Sequence, residues 1–202
     1  MGDAITDYAA RATPDLIAGY DALSPEQIYA SVLDLFPDTP VRVADIAAGT
    51  GRDAAWFAAQ GHRVLAVEPV SEFREAGAVL HGDRVEWLDD RLPELGEVER
   101  RGPFDLIVLC AVWHHLDSAD RAQAVQSLAR IAAPGATLIL SLRHEPGELG
   151  PHSYPAPPGE AIDLACAAGF DLIRQAEAPA VHPLSRVAGV HWTWLAFTRT
   201  AD

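Results

Sequence analysis

Two glycines and one glutamate have the types and the spacing to hold a nucleoside. Gly49 and Gly51 lie in a turn of small residues, and Glu68 follows at the end of the next apolar run. Glycine lets the backbone approach a ligand with no Cβ in between, and a helix that starts at such a turn offers unpaired N–H groups. A carboxylate at the tip of a strand can accept hydrogen bonds from both ribose hydroxyls. The spacing therefore predicts a dinucleotide or S-adenosylmethionine as the ligand.

The sequence around these residues predicts one strand–turn–helix–strand unit over residues 41–69. The β-branched run that ends at Ile46 is typical of a buried strand. A helix is expected over residues 53–60, and a second buried strand over residues 63–67. Residues 49–54 also satisfy G-x-G-x-x-A, so this unit alone leaves the choice between the two ligands open.

Asp45, just before the turn, favours one of the two ligands. The stretch from Asp45 to Gly51, DIAAGTG, resembles the D-x-G-x-G-x-G motif of class I S-adenosylmethionine-dependent methyltransferases, with Ala47 in place of the first glycine. The resemblance implies S-adenosylmethionine as the cofactor and S-adenosylhomocysteine as the product, with the acid near the amino acid part of the cofactor. The cofactor-binding residues that it implies are Asp45, Ala47 (through its backbone), Gly49, Gly51, Glu68, Pro69 and Ala111.

Three later stretches extend the resemblance along the chain. In the family, an acid after the third strand accepts a hydrogen bond from the adenine amino group, a role expected here for Asp89 or Asp90. The apolar run over residues 103–111 and the loop over residues 112–116 resemble the family's fourth strand and the loop after it. Residues 128–136 resemble the L-x-x-x-L-x-P-G-G turn that leads into the fifth strand.

Histidines on the loops that border the predicted crevice are the candidates for acid–base chemistry. Histidine has an unperturbed pKa suited to removing a proton from an alcohol, a phenol or a protonated amine. His114 and His144 are the predicted catalytic residues, and His115 borders the same crevice. For each histidine, a polar wall residue is the alternative interpretation.

Substrate contacts are expected on the same loops and strand ends. Prolines and glycines exclude a regular element over much of residues 146–159, and a long irregular loop in a compact domain is usually functional or disordered. Trp113 is a candidate aromatic wall, with a core tryptophan as the alternative. The predicted substrate-binding residues are Tyr20, Trp113, Arg143, His152, Tyr154 and His191.

The order of the predicted elements indicates an α/β fold, a Rossmann-like three-layer α/β/α sandwich with a mostly parallel seven-stranded sheet. The resemblance implies that the last two strands, expected at residues 170–173 and 191–197, form a C-terminal antiparallel pair. Residues 1–40 are expected to form a helical lid segment, which includes a helix over residues 24–36. Residues 41–202 are expected to form a single methyltransferase domain.

Composition restricts the partners. The net charge of −14 argues against a nucleic acid, because nucleic-acid binders use basic patches. Cys110 and Cys166 lie in apolar stretches, which predicts core residues in a reducing compartment. The sequence shows no metal-binding spacing and no apolar run of membrane-spanning length. We therefore expect a bacterial, cytoplasmic protein, monomeric or homodimeric, with a small-molecule substrate and with no metal, nucleic-acid or membrane partner.

The predicted function is methyl transfer from S-adenosylmethionine to an oxygen or nitrogen atom of a small molecule, such as a specialised metabolite. One alternative is a protein of the same fold that binds the cofactor for other chemistry, such as cyclisation. A second alternative is an NAD(P)-dependent oxidoreductase, which would have no need of Asp45. A pure interaction domain, which would bind no nucleoside, is the third alternative.

Overall fold

The computed structural model describes residues 1–146, 150 and 152–201. In this part of the chain, seven strands form one sheet in the order β3-β2-β1-β4-β5-β7-β6, with β7 antiparallel to both β5 and β6 and the other neighbours parallel. The mostly parallel sheet with its antiparallel last pair is therefore confirmed. The strands are β1 (Arg42–Ile46), β2 (Arg63–Val67), β3 (Glu86–Leu88), β4 (Phe104–Leu109), β5 (Ala132–His144), β6 (Phe170–Pro179) and β7 (His191–Arg199).

Helices lie on both faces of the sheet, and three of them precede the first strand in the sequence. Three of the helices begin after a residue whose side chain accepts a hydrogen bond from a backbone N–H of the first turn, and these caps are Thr13, Ser24 and Asp117. The helices are α1 (Gly2–Arg11), α2 (Pro14–Asp21), α3 (Pro25–Ile28), α4 (Arg52–Ala59), α5 (Ser71–His81), α6 (Gly96–Glu99), α7 (Ser118–Ile131), α8 (Pro158–Ala167) and α9 (Pro183–Val187).

The core has two parts because successive residues of a strand point to opposite faces of the sheet. On one face, side chains such as Ile107 and Leu140 pack against α7 and α8. On the other face, side chains such as Val108 and Ile139 pack with Phe57 of α4. Helices on both sides of a sheet that is buried in this way make the predicted three-layer α/β/α sandwich.

The helix expected over residues 24–36 is interrupted. The serine cap is present, since Ser24 accepts a hydrogen bond from the N–H of Gln27, but α3 ends at Ile28 and a 3₁₀ turn forms at Leu33–Leu35. The interruption places both Tyr29 and Val32 in fully buried positions next to α4 and β7. Burial of these two side chains therefore outweighs the helical spacing of the apolar residues.

Two further differences concern the second half of the chain. β5 begins at Ala132 and runs to His144, so Pro134 and Gly135, which were expected in the turn before the fifth strand, lie within the strand itself. Cys110 is partly buried, but Cys166 is exposed on α8, so the prediction of a core position is wrong for Cys166.

The N-terminal helices α1 and α2 lie over the carboxyl ends of the parallel strands, where Ile5, Tyr8 and Leu16 line a cavity. The proposed lid role of residues 1–40 stays a prediction. Among the residues that the structure describes, no helix has the length and apolar character needed to cross a membrane.

Candidate active site

A cavity of about 420 Å³ lies at the carboxyl ends of β1, β2, β4 and β5. Ligands of open α/β sheets bind at this edge. Helices α1 and α2 cover one side of the cavity, and the segment from Pro179 to Ser185 contributes another wall. The predicted site residues that line it are Tyr20, Asp45, Ala47, Gly49, Glu68, Pro69, Ala111, His114 and Arg143.

Glu68 follows β2 and faces the glycine turn. Its Oε2 accepts a hydrogen bond from the backbone N–H of Gly49 at 2.8 Å, and its Oε1 accepts one from the N–H of Val70 at 2.9 Å. Burial raises the pKa of this carboxyl, which is 5% exposed. Because a carboxylate can accept about four hydrogen bonds, each oxygen keeps the capacity to accept one from a ligand hydroxyl.

Asp45 lies in β1 and lines the same part of the cavity. It is 2% exposed, and its Oδ2 has no hydrogen-bond partner among the described residues. Burial raises the pKa of Asp45 well above its usual range, and the Asp53 carboxylate raises it further. A buried carboxyl oxygen without a partner is unfavourable. A positively charged group bound in the cavity would remove that cost.

Two alanines that line the cavity have a left-handed backbone conformation. Ala47, after β1, has a φ of 61°, and Ala111, after β4, has a φ of 60°. This conformation costs a non-glycine residue roughly 1–2 kcal/mol, and such strain concentrates at functional sites. The N–H of Ala111 donates to the Oγ of Ser141 on β5 at 2.8 Å, which fixes the second of the two turns.

An ion pair holds the start of α4 against α2. The Nε and Nη2 atoms of Arg52 donate to the two carboxylate oxygens of Asp53 at 2.7 and 2.8 Å, and Nη1 donates to the carbonyl oxygen of Tyr20 at 3.2 Å. The Tyr29 hydroxyl donates to Asp53 at 2.7 Å. Burial alone would lower the pKa of Arg52, but the Asp53 carboxylate raises it, so the guanidinium stays charged.

Gly51 serves the packing of the turn. It has a φ of 76°, and a Cβ at this position would lie 2.6 Å from the ring of Trp87 on β3. The residue is not among those that line the cavity. The positive φ and the close approach of the Trp87 ring are therefore enough to explain why a glycine occupies position 51.

The opposite part of the cavity contains two adjacent histidines. His114 and His115 lie in the 3₁₀ turn Trp113–His115, and their ring centres are 4.1 Å apart. The Nδ1 atom of His115 is 2.9 Å from the carbonyl oxygen of His152, and its Nε2 is 3.1 Å from the Tyr8 hydroxyl oxygen. Burial lowers the pKa of both rings, that of His114 to about 2, and the neighbouring His115 contributes to the shift of His114. Both imidazoles are therefore neutral at neutral pH.

Arg143 and His144 point to opposite faces of β5. Arg143 pairs with Trp192 across the β5–β7 ladder, and both line the cavity. His144 pairs with His191, and these two rings stack 4.9 Å apart, with the His144 Nε2 atom 2.8 Å from the Thr193 hydroxyl. Neither His144 nor His191 is among the cavity residues. His144 and His191 were both expected in the site, and this expectation is corrected. Because β5 continues as a strand through residue 144, neighbouring side chains alternate between the two faces, and His144 points away from the cavity that Arg143 lines.

Three other predicted substrate residues lie outside the cavity lining. Trp113 is fully buried in the core, which agrees with the alternative interpretation of this side chain. His152 contributes its backbone carbonyl to His115, and the N–H of Tyr154 donates to the carbonyl oxygen of His114 at 2.8 Å. Residues 152 and 154 therefore contact the two histidines through hydrogen bonds of their backbone groups.

The two acids after β3 have different partners. Asp90 accepts hydrogen bonds from the N–H groups of Glu97 and Val98 at 2.8 and 3.0 Å, so it caps the start of α6. Asp89 is exposed and pairs with Arg74 at 3.0 Å, and Arg74 also donates to the backbone carbonyl of Glu68. Only Asp89 is thus connected to the Glu68 region.

The cavity also contains side chains that the sequence analysis did not assign to it. Tyr8 and Phe73 lie on α1 and α5, Trp192 on β7, and His182 just before α9. The apolar and aromatic residues of α1 and α5 resemble ordinary packing positions in the sequence. The sequence did contain a signal for Trp192. Side chains alternate between the faces of a strand, so residues 192 and 194 of β7 share one face of the sheet.

Comparison with known proteins agrees with this geometry. Residues 44–140 match a family described as a methyltransferase domain. No curated protein matches the chain in a sequence search. Among solved structures, the 1,6-didemethyltoxoflavin-N1-methyltransferase of Burkholderia thailandensis, with bound 1,6-didemethyltoxoflavin and S-adenosylhomocysteine, is 22% identical, with a TM-score of 0.68 over 97% of this chain and 90% of that chain.

Two more solved structures share the fold. The magnesium protoporphyrin IX methyltransferase of Synechocystis PCC 6803, with bound S-adenosylmethionine, is 16% identical, with a TM-score of 0.67 over 91% of this chain and 81% of that chain. The [4+2]-cyclase SpnF is 15% identical, with a TM-score of 0.64 over 93% of this chain and 80% of that chain. The fold by itself is therefore shared by methyltransferases and a cyclase.

The match of residues 44–140 covers the glycine turn, Glu68, β4 and most of β5, and the flanking elements complete the fold of the solved methyltransferases. Residues 44–140 therefore match the methyltransferase-domain family, and the chain as a whole has the fold of solved S-adenosylmethionine-dependent methyltransferases.

Proposed function

We propose that this protein transfers a methyl group from S-adenosylmethionine to an oxygen or nitrogen atom of a small molecule. The observation that carries the proposal is the pair of buried acids at the ends of adjacent strands. Asp45 has an oxygen without a partner among the described residues, and Glu68 is fixed by two backbone N–H groups. One acid suits the ammonium group of the cofactor, and the other suits its ribose hydroxyls.

The remaining residues around these acids fit the same cofactor. The backbone turns at Ala47 and Gly49, together with Pro69 and Ala111, would form the walls of the cofactor site. For the adenine amino group we retain Asp89 and drop Asp90, because Asp90 already caps α6. When bound, the cofactor supplies an activated methyl group on a sulfonium, so the protein mainly has to align the acceptor.

A small acceptor is supported by the size and the lining of the cavity. Its volume of about 420 Å³ has to accommodate both cofactor and acceptor, and it is within the usual range of small-molecule sites. The acceptor half is lined by aromatic rings, among them Tyr20, Phe73 and Trp192. The net charge of −14 disfavours a nucleic-acid acceptor. We further propose that the reaction takes place in a bacterial cytoplasm.

A labelling experiment tests this function. The protein is incubated with deuteromethyl S-adenosylmethionine and a small-molecule extract, and the products are analysed by mass spectrometry. We expect label in a small molecule, together with one S-adenosylhomocysteine for each methyl group transferred. Conversion of a small molecule with the cofactor left intact would indicate the cyclase-type alternative. Conversion that requires NAD or NADP would contradict the proposal.

A further inference from the structure

A chain of hydrogen bonds runs from the α1 helix to the loop after β5 through His115. The Tyr8 hydroxyl oxygen lies 3.1 Å from His115 Nε2, and His115 Nδ1 lies 2.9 Å from the His152 carbonyl oxygen. A carbonyl oxygen can only accept, so Nδ1 must carry the hydrogen of the neutral ring. Nε2 is then an acceptor, and the Tyr8 hydroxyl must donate to it. The lone pairs of the Tyr8 oxygen remain available to accept a hydrogen bond from a bound molecule.

Both ends of this chain are fixed by packing and by backbone hydrogen bonds. The Tyr8 ring lies edge-on to the His115 ring at 5.3 Å and packs against Phe73 at 6.3 Å. On the other side, the fully buried Arg121 donates to the carbonyl oxygen of Pro155 at 2.7 Å. His152 itself has a left-handed backbone with a φ of 56°, which aims its carbonyl at His115. The surrounding structure therefore determines the tautomer of His115.

The electrostatic surroundings keep the side chains of this hydrogen-bond chain neutral before methyl transfer. Burial lowers the pKa of His115, and the Arg143 guanidinium, the His152 side chain and the N-terminal ammonium lower it further, while the His152 carbonyl raises it. Burial raises the pKa of Tyr8 to about 12, so the Tyr8 hydroxyl stays protonated at neutral pH. His114, next to His115, stays neutral. Loss of the positive charge of the sulfonium during methyl transfer would then favour a proton on His115.

We propose that Tyr8 accepts a proton from the methyl acceptor and passes its own proton to His115 Nε2, so that the acceptor is an aromatic compound with a hydroxyl group. This inference rests on the proposed function. The acceptor's O–H bond breaks as its oxygen forms a bond to the methyl carbon, and the electron pair of the S–C bond stays on sulfur. The Tyr8 oxygen gains the acceptor's proton and keeps a hydroxyl, while His115 becomes an imidazolium with its Nδ1–H on the His152 carbonyl.

The lining of the cavity supports this class of acceptor. Trp192, Phe73 and Tyr20 provide flat apolar surfaces that suit an aromatic ring. Arg143 lies on the same wall as Trp192, and its Nη2 atom donates to the Glu145 carboxylate at 2.8 Å. A protonated hydroxyl group can donate to the Tyr8 oxygen, whereas a tertiary amine or a thioether has no hydrogen to give.

The first test needs no acceptor. Nitrogen-15 NMR of the imidazole rings in the full-length protein, saturated with S-adenosylhomocysteine, reports which nitrogen of His115 carries hydrogen. We expect a neutral ring with the hydrogen on Nδ1, and a changed Nε2 signal in Tyr8→Phe. A hydrogen on Nε2 would overturn the relay. Calorimetry with S-adenosylhomocysteine on the same samples separates the two proposals, since a lack of binding would contradict the proposed function itself.

The second test uses turnover of a series of nitrophenols and halophenols of graded acidity. Where the phenol is protonated, we expect Tyr8→Phe and His115→Gln to lower kcat by about 100-fold or more, the usual contribution of general-base catalysis. The loss should disappear above the pKa of each phenol, because an ionised acceptor has no proton to lose.

Tyr20→Phe is the matched variant for this test, because it removes a hydroxyl from a second tyrosine that packs on Phe73, at 6.2 Å. We expect it to change KM and to leave the shape of the pH profile unaltered. An equal loss at every pH in Tyr8→Phe would show a structural role and overturn the relay. Methylation of none of the phenols, with S-adenosylhomocysteine binding intact, would show that the acceptor class is wrong.

Discussion

At the scale of single residues, Asp45 connects the stability of the protein to ligand binding. Its folded-state pKa is raised, so its contribution to stability is present at low pH and is lost as the pH rises through that pKa. At neutral pH, which is above the ordinary pKa of an aspartate, this side chain therefore destabilises the ligand-free protein. A bound ligand that carries a positive charge removes this penalty. Ligand binding therefore explains why a side chain that lowers the stability of the free protein is kept at position 45.

Asp45→Asn is expected to raise Tm while weakening cofactor binding. The amide carries no buried charge, and a hydrogen bond to a charged group contributes about 1.5–3 kcal/mol, so affinity for S-adenosylhomocysteine should fall by roughly tenfold or more. Thermal unfolding and calorimetry measure the two effects. The gain in Tm over the unsubstituted protein should shrink as the pH is lowered, because Asp45 then becomes protonated. A lower Tm with unchanged affinity would contradict this account of Asp45.

The left-handed conformation of Ala47 gives a second prediction for a single residue. Glycine adopts a φ of 61° without the cost to Cβ, so Ala47→Gly should stabilise the ligand-free protein by up to about 1 kcal/mol. Ala48→Gly, at the next residue, relieves no left-handed strain and should destabilise by about 0.5–1 kcal/mol. Chemical denaturation measures both values. Destabilisation by both substitutions would mean that burial of the Ala47 methyl group outweighs its backbone strain.

At the scale of elements, the glycine turn depends on packing between α5 and β3. A Cβ at Gly77 would overlap the Trp87 ring and lie 2.6 Å from the carbonyl oxygen of Thr50 in the turn. Gly77→Ala should therefore destabilise the protein by about 1–3 kcal/mol and weaken S-adenosylhomocysteine binding.

Gly159→Ala, on α8, is the control for this substitution. Apart from its chain neighbours and the backbone of its own helix, no heavy atom of the described residues lies within 4 Å of a Cβ at Gly159, so we expect a neutral or slightly stabilising effect. Denaturation and calorimetry of the two variants provide the comparison. An effect of Gly77→Ala no larger than that of the control would show that Trp87 does not support the turn.

Strand length decides which side chains reach the site, and sequence patterns locate strand ends poorly. β2 was predicted with its observed bounds because an apolar run ends cleanly at Glu68. β5 continues through His144, because β7 pairs with it up to that residue. This pairing between distant segments separates Arg143 from His144. The same limitation applies to Tyr29, whose burial interrupts the helix expected in its region.

At the scale of the whole molecule, the sheet and the cavity wall formed by the β1 and β2 strand ends were predictable from the sequence. The glycine turn and Glu68 lie within one local unit, and the motif from Asp45 to Gly51 identifies it. The acceptor half is built from distant segments, which bring Tyr8, His115 and Trp192 together. None of these three has a local motif that reports its partners, and only the folded chain reveals the contact between Tyr8 and His115.

The central claim is that the cavity holds S-adenosylmethionine. The most direct test is thermal unfolding of the protein in separate titrations with S-adenosylmethionine, S-adenosylhomocysteine, NAD and NADP. A ligand at a hundred times its Kd stabilises the folded state by about 2.7 kcal/mol, which for a chain of this size shifts Tm by several degrees. We predict a shift with the two sulfur nucleosides and none with NAD or NADP. A shift with NAD or NADP alone would contradict the claim.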